Sequence, residues 1–227
     1  MKKLVVLTGA GISAESGIKT FRDVDGLWEG HNVMDVASPE GWHRNKELVL
    51  DFYNQRRTAA LNAKPNAAHY GLAYLEQFYE VTIITQNVDD LHERAGSSSV
   101  VHLHGSLFEK RSEQNEHNIE PIFEDMKVGA LASDGALYRP NIVWFGEEVP
   151  EMNTAIKLVQ KAEILIIVGT SMQVYPAASL VQFVSPSVKI FFIDPKPAVN
   201  STERIKVYAE KATTGIAKAI EFIKNIK

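Results

Sequence analysis

Short apolar runs recur along the chain, and nearly all of them end in Gly, Thr, Asn or Asp. Runs of this length and composition predict buried β-strands. They lie near residues 4–8, 81–85, 100–103, 142–144, 164–169 and 188–193. Helical patterns separate several of them, at residues 45–62, 67–78, 153–162, 177–184 and 213–226. The alternation predicts an α/β fold in which a doubly wound, Rossmann-like parallel sheet carries helices on both faces.

Two segments interrupt this alternation. Residues 31–78 contain no convincing strand pattern and are mainly helical in character, while residues 107–140 are polar and irregular. We expect both to be insertions that together form a small, discontinuous helical and irregular domain. The main domain is then expected to consist of residues 1–30, 79–106 and 141–227.

The first predicted strand runs directly into a glycine-rich segment. Gly9 and Gly11 permit a tight turn, and Ala14 takes the third position of the spacing G-x-G-x-x-G/A, where a small residue lets helix and strand pack closely. A buried strand that feeds such a turn is typical of a pyrophosphate site, in which phosphate oxygens approach main-chain N–H groups. The segment therefore predicts a dinucleotide ligand.

The acid that usually binds ribose follows such a turn by about 20 residues, at the end of the second strand. Here that position falls within residues 27–30, and no strand pattern precedes it. A dehydrogenase that transfers hydride is therefore disfavoured. Asp194, at the end of a later apolar run, is the acid that can take the ribose role.

Composition narrows the function classes further. The formal net charge is −4, so we expect neither a nucleic-acid partner nor an anionic membrane surface. The chain has no cysteine, which excludes disulfides and thiolate zinc ligands. The first apolar run is shorter than the core of a signal peptide, and no run approaches the roughly 20 residues that span a bilayer. We therefore expect a cytoplasmic protein.

Polar residues follow several other predicted strands, at the edge where open α/β sheets bind ligands. These residues are Gln86, Asn87, Asp89, His104, Gly105, Gly169, Thr170 and Ser171. Together with the segment Asn-Ile-Val-Trp-Phe-Gly-Glu at residues 141–147, and in this order from Val5 to Asp194, the motifs resemble the sirtuins, the NAD-dependent protein deacylases. The resemblance implies that the main domain binds NAD as a co-substrate and that acyl-lysine proteins or peptides are the partners.

The resemblance also implies roles for individual residues. His104 is the general base, a task that suits an imidazole because it accepts a proton near neutral pH. Asn87 and Asp89 are catalytic residues beside the nicotinamide, and Gln86 lies beside the nicotinamide ribose. The other residues implied to contact NAD are Gly9, Ala10, Gly11, Ser13, Phe21, Arg22, Gly169, Thr170, Ser171 and Asp194.

Each of these motifs also has a purely structural interpretation. A histidine at a strand end can simply be hydrogen-bonded there, and Asn and Asp favour turns and helix caps. The Gly-Thr-Ser segment can be an ordinary strand-to-helix turn. We expect Asp90 to serve only the turn, and His92 and Glu93 to be solvated residues of the following helix.

Substrate recognition is implied for two further segments. Val143, Phe145 and Gly146 resemble the part of the family that pairs with the peptide backbone and lines the lysine channel. Tyr53 and Arg56 are three residues apart on a predicted helix and therefore share a face, where a phenol and a guanidinium can hold a carboxylate. This pair resembles the sirtuins that remove succinyl and malonyl groups, while its structural alternative is a solvated helix face.

Most sirtuins carry two pairs of zinc-binding cysteines between the His-Gly and Phe-Gly-Glu motifs. The same interval here holds no cysteine and one histidine, His117, so we expect no zinc and a lobe held by packing. The function expected is NAD-dependent deacylation of lysine, which yields nicotinamide and O-acyl-ADP-ribose. Two alternatives remain open, an NAD glycohydrolase or ADP-ribosyltransferase on the same scaffold and a non-catalytic NAD or ADP-ribose sensor.

Overall fold

The computed structural model describes residues 1–20, 27–28 and 30–224, and of Leu27 it describes the backbone alone. Phe21 and Arg22, which the resemblance assigns to NAD binding, lie outside the described residues. The chain forms two compact units. The larger unit comprises residues 1–19, 64–103 and 149–227, and the smaller unit comprises residues 20–63 and 104–148.

Strands and helices alternate along most of the described chain. The strands are β1 Lys3–Thr8, β2 Leu27–Trp28, β3 His31–Asn32, β4 Glu80–Thr85, β5 Val100–His102, β6 Gly105–Ser112, β7 Ile119–Pro121, β8 Tyr138–Ile142, β9 Ile164–Val168, β10 Lys189–Ile193 and β11 Ile205–Tyr208. The helices are α1 Val33–Val36, α2 Pro39–Arg44, α3 Lys46–Asn62, α4 Ala67–Tyr74, α5 Leu91–Arg94, α6 Met152–Gln160 and α7 Ala212–Ile223. Short 3₁₀ segments occur at Ala10–Ile12, Ala14–Ser16, Leu75–Gln77 and Ala177–Phe183.

The larger unit is built on a parallel sheet with strand order β11-β10-β9-β1-β4-β5 among its described residues. Alternate residues of β1 point to opposite faces, as the period of a strand requires. Leu4 and Val6 join a core with α4 and α7, while Val5 and Leu7 join a second core with α6 and the 3₁₀ segment at Ala177–Phe183. The predicted doubly wound α/β fold is confirmed. Among the described residues, no helix is both long enough and apolar enough to cross a membrane.

The boundaries between the units differ from the predicted ones. Residues 64–78 were expected in the small domain, but the structure places them in the larger unit, because Ala68 and Leu72 of α4 are fully buried in the core against the sheet. Residues 104–106 and 141–148, and the described residues from 20 to 30, were expected in the main domain and belong to the smaller unit. There β8 pairs antiparallel with β6, so the apolar run near residue 142 does not enter the parallel sheet.

The smaller unit contains more regular structure than its sequence predicts. Within the segment 107–140, which was expected to be irregular, β6 pairs antiparallel with β7 and β8. Two side chains of α3 tie this sheet and the following loop to the helix. Arg57 is 1% exposed and donates to the carbonyls of Leu107 and Glu124, while Asn54 exchanges two hydrogen bonds with the main chain of Met126. Packing alone was expected to hold this lobe, and these polar contacts add to it.

Candidate functional site

Two loops at the carboxyl edge of the larger sheet approach each other too closely for any side chain. A Cβ atom on Gly9 would lie 2.8 Å from Cβ of Thr170, and one on Gly11 would lie 2.7 Å from Cα of Gly169. Gly169 itself has φ of +64° and faces the main chain of Ile12. Glycine is therefore required at all three positions by packing between the loops after β1 and β9.

The same contact uses main-chain groups that the sequence pattern assigned to phosphate. The N–H of Gly9 donates to the carbonyl of Val168 at 3.2 Å, and the N–H of Gly11 donates to that of Gly169 at 2.8 Å. The chain forms two short 3₁₀ turns here, Ala10–Ile12 and Ala14–Ser16, in place of the helix that usually follows such a glycine-rich turn. These two amides thus hold the loops together, and a phosphate in this region would be bound by other groups.

The structure brings Ser13, Asn87 and Asp89 together in a buried cluster. Ser13 donates its hydroxyl proton to Oδ2 of Asp89 at 3.1 Å and accepts from Nδ2 of Asn87 at 3.1 Å. All three side chains are buried, with Asp89 at 5% exposure. Burial raises the pKa of the Asp89 carboxyl above its usual value, although hydrogen bonds from Leu91 and Ser13 oppose the shift. The bond from Leu91 is also turn chemistry, so the carboxyl serves both the turn and the cluster.

Other predicted NAD contacts lie at neighbouring strand ends of the same unit. Nε2 of Gln86 donates to the hydroxyl of Thr170 at 3.1 Å, which joins the loops after β4 and β9. Ser171 is half-buried in the latter loop. Asp194 follows β10 and is 8% exposed, and its Oδ1 accepts from the main-chain N–H of Lys196 at 2.8 Å.

A buried network that the sequence did not reveal supports this edge from beneath. The last residues of β1 and β4 are partners in register, and Thr8 donates to Thr85 at 2.7 Å. Thr85 in turn accepts from the main-chain N–H of Asn87, while His92 contacts the Thr8 hydroxyl at 3.1 Å. Because the Thr8 proton goes to Thr85, Nε2 of His92 is the donor to Thr8. The prediction that His92 is solvated is wrong, since it is 0% exposed and burial lowers its pKa to about 3.

His102 is the second side chain that sequence reasoning passed over. Its Nδ1 lies 2.9 Å from the main-chain oxygen of Asn87, and its Nε2 lies 2.7 Å from Oε1 of Glu93. Both partners only accept, so both ring nitrogens donate and the ring is cationic. Burial alone would lower the pKa of His102, but the hydrogen bond and charge of Glu93 outweigh it and raise the pKa above its usual value. Glu93 is exposed, as expected of a solvated helix residue, and through His102 it is also tied to the Asn87 loop.

In the smaller unit, His104 and the segment after β8 are joined through the main chain. His104 is half-buried in a turn, and its carbonyl accepts from the N–H of Val143 at 3.0 Å. The following Gly105 has φ of +79°, and a Cβ there would lie 2.0 Å from the carbonyl oxygen of Asn141. Glycine after His104 is therefore a requirement of the β6–β8 pairing.

The predicted substrate-binding residues of this segment differ in exposure. Phe145 is 40% exposed and Gly146 is exposed with φ of +92°, whereas Val143 is half-buried. Trp144 is 2% exposed, consistent with the packing role expected for it.

The predicted acyl-binding pair lies on α3 of the same unit. Tyr53 is 0% exposed, and its hydroxyl accepts a hydrogen bond from Nε1 of Trp144 at 3.0 Å. Arg56 is half-buried, with its guanidinium carbon 4.4 Å from the centroid of the Trp28 ring and 5.7 Å from that of Phe52. At these distances the guanidinium is attracted to the faces of the two aromatic rings.

Comparison with known proteins identifies the family. The sequence model of the Sir2 family matches residues 9–176, which is more than half of the chain. The chain belongs to the Sir2 family. Two curated Sir2 relatives are an "NAD-dependent protein deacylase" of Helicobacter pylori, 60% identical over 86% of each chain, and one of Bacteroides thetaiotaomicron, 52% identical over 95% of each chain.

Solved structures of Sir2 proteins share the whole fold. A crystal structure of a Sir2 homolog–NAD complex matches with a TM-score of 0.87 and 39% identity, over 98% of this chain and 90% of that one. A structure of Sir2 bound to acetylated peptide matches with a TM-score of 0.80 and 31% identity, over 97% and 93% of the two chains.

The contact between His102 and Glu93 makes the stability of this Sir2 protein depend on pH. Because the pKa of His102 is raised in the folded state, its protonation adds to the free energy of unfolding. This contribution is fully present below about pH 6.5, the unfolded pKa, and is lost as pH rises through the folded pKa. We expect His102→Gln to lower the free energy of unfolding more at pH 6 than at pH 9, measured by urea denaturation. His117→Gln, which changes an 88% exposed side chain, is the control. An equal loss at both pH values would show that the charge of His102 contributes nothing.

Proposed function

We propose that this chain is an NAD-dependent protein-lysine deacylase that removes acetyl groups and, with preference, acidic groups such as succinyl and malonyl. The observation that carries the proposal is the buried cluster of Ser13, Asn87 and Asp89 at the carboxyl edge of the sheet. A purely structural turn has no need of an amide and a carboxyl joined through one buried hydroxyl. The printed names of the curated relatives support the same activity.

The polar groups at this edge suit the chemistry of NAD. Amide and hydroxyl side chains both donate and accept, as ribose hydroxyls and a carboxamide require. We assign Asn87 and Asp89 to the nicotinamide end and Gln86 to its ribose. The remaining proposed contacts are Gly9, Ala10, Gly11, Ser13, Gly169, Thr170, Ser171 and Asp194, with Phe21 and Arg22 outside the described residues.

The proposed reaction uses NAD as a reactant and not as a recycled cofactor. The acyl oxygen of the substrate attacks the sugar carbon as nicotinamide leaves, and His104 then takes a proton from a ribose hydroxyl. That oxygen receives the acyl group, so the products are free lysine, nicotinamide and O-acyl-ADP-ribose. Val143, Phe145 and Gly146 are proposed to bind the peptide by strand addition, a mode that uses main-chain hydrogen bonds.

Acyl preference is assigned to Tyr53 and Arg56. The guanidinium carbon of Arg56 lies 4.4 Å from the centroid of the Trp28 ring, and burial raises the pKa of the Tyr53 phenol three residues earlier on the same helix, so the pair supplies one permanent cation and one neutral donor. Both groups suit a carboxylate, and charge-assisted hydrogen bonds are the strong ones. Neutral acetyl-lysine gains nothing from the cation. The partners we propose are acyl-lysine proteins or peptides, with no role for nucleic acid or a membrane surface.

The first prediction concerns the base. His104→Ala is expected to lower deacylation by about 10² to 10⁴ while NAD binding is retained, because general-base contributions have this size. Deacylated peptide and O-acyl-ADP-ribose are measured by mass, and NAD affinity by calorimetry. His117→Ala, at an exposed position of the same unit, should retain full activity.

Three outcomes of that assay would contradict the proposal. A folded, NAD-binding His104→Ala protein with wild-type turnover would remove His104 from catalysis. Wild-type protein that hydrolyses NAD at the same rate with and without acyl peptide would instead indicate a glycohydrolase, and one that binds NAD without turnover would indicate a sensor.

The second prediction concerns metal. The sequence has no cysteine, and among the described residues no group of three or more His, Asp or Glu side chains could hold a metal ion. Arg57 and Asn54 tie the lobe to α3 by hydrogen bonds instead. We expect purified protein to contain no stoichiometric zinc and a chelator to leave the thermal midpoint unchanged, since structural zinc couples to folding. One zinc per chain by elemental analysis would overturn this expectation.

The third prediction concerns acyl choice. Arg56→Met keeps most of the apolar stem over Trp28 and removes the charge. We expect kcat/KM for a succinyl-lysine peptide to fall at least tenfold while that for the acetyl-lysine peptide falls less than twofold, because a hydrogen bond to a charged group contributes about 1.5–3 kcal/mol. Arg44→Met, at an exposed arginine of the same unit, is the control. Equal losses on both substrates would make Arg56 a structural residue.

A further inference from the structure

Trp144 is held on several sides within the smaller unit. The guanidinium carbon of Arg139 lies 3.4 Å from the centroid of its ring, and the ring of Trp42 lies 5.8 Å away on a tilted approach. Its main-chain N–H donates to Oε2 of Glu147 at 2.8 Å. The indole is 2% exposed, so its position is set by these neighbours and not by solvent.

Arg139 is itself fixed by a two-pronged ion pair. Its two terminal nitrogens donate to the two carboxylate oxygens of Glu147, and one of them also donates to the carbonyl of Ile142 at 2.8 Å. Arg139 is 6% exposed, and such paired donors fix the plane of a guanidinium. Glu147 therefore fixes Trp144 in two ways. It accepts a hydrogen bond from the main-chain N–H of Trp144, and it holds the Arg139 guanidinium that lies over the indole ring.

The free edge of the indole determines how Tyr53 can hydrogen-bond. Nε1 of Trp144 is a donor only, so the Tyr53 oxygen must accept at this 3.0 Å contact. The phenolic proton is then directed elsewhere. Trp144 is the one hydrogen-bond partner of the Tyr53 hydroxyl among the described residues, so that proton has no acceptor there. A buried donor without an acceptor is costly, which favours a ligand that supplies one.

We propose that Trp144 is a positioning residue for acyl selectivity: by donating to Tyr53 it leaves the phenolic proton for the acyl carboxylate, and Arg139 and Glu147 hold it in place. This inference rests on the proposed function, in which Tyr53 and Arg56 bind an acidic acyl group. It assigns a role in selectivity to Trp144, a residue that touches no substrate and whose burial packing alone would otherwise explain.

The test is a double-mutant cycle of Trp144→Phe and Tyr53→Phe, with kcat and KM measured on succinyl-lysine and acetyl-lysine peptides. Trp144→Phe keeps an aromatic ring under Arg139 and removes the indole N–H. We expect it to lower kcat/KM for the succinyl peptide about fivefold through KM, the size of one hydrogen bond, with less than a twofold change for the acetyl peptide. Adding it to Tyr53→Phe should cause no further loss of selectivity, because the hydroxyl that it positions is already gone.

Tyr138→Phe is the control, because it also removes a hydrogen-bond donor from a buried aromatic side chain of the same unit, in this case the donor to Glu120. It should leave the ratio of the two substrates unchanged. Losses that are equal for both peptides, or that add fully to those of Tyr53→Phe, would make Trp144 a core residue and overturn the inference. If Arg56→Met is selective and Trp144→Phe is not, only this inference fails. If the wild type and Arg56→Met show no acyl selectivity, the acidic-acyl part of the proposed function fails and the inference fails with it.

Discussion

The close approach of the loops after β1 and β9 is the constraint on which the rest of the larger unit depends. Gly9 and Gly11 lie against Gly169 so tightly that a single added Cβ would overlap main-chain atoms. Two main-chain hydrogen bonds then lock the loops together at the carboxyl edge of the sheet. Because Ser13 follows four residues after Gly9, this contact also fixes where its hydroxyl meets Asn87 and Asp89. The glycines act first as packing residues, and the polar cluster follows from their position.

The two units order their polar groups by different means. Beneath the cluster of the larger unit, Thr8, Thr85 and His92 form a buried chain of hydrogen bonds that carries no charge, since burial keeps His92 neutral. A neutral chain avoids the cost of desolvating an ion and still fixes the main chain of Asn87. The smaller unit uses charge instead, with Arg139 and Glu147 paired at 8% and 21% side-chain exposure. Removing Arg139 or Glu147 would leave a buried charge without its partner, so this ion pair tolerates substitution less well than the neutral chain does.

Local signals and long-range contacts explain which parts of the structure could be predicted. The apolar strands and their polar ends are local, so the parallel sheet and the strand-end residues were predictable from the sequence. His92 was not, because a four-residue helix is too short to show which face is buried, and its partner Thr8 lies 84 residues away. Strand β6 was missed because Glu109, Lys110 and Arg111 interrupt any apolar alternation. Its pairing with β8 involves the close approach of Gly105 to Asn141, a long-range contact that no local sequence pattern shows.

The lobe from 107 to 140 shows how a segment can be ordered without thiolate ligands. A structural zinc gathers distant loops through four bonds to one centre. Here helix α3 connects the separate segments of the lobe, because Asn54 and Arg57 are three residues apart on it and therefore share a face. Their hydrogen bonds reach Leu107, Glu124 and Met126, which span more than half of the lobe. The same helix carries Tyr53 and Arg56 on the adjoining positions. Acyl recognition and the order of the lobe therefore depend on one rigid element, and a change that shifts α3 alters both.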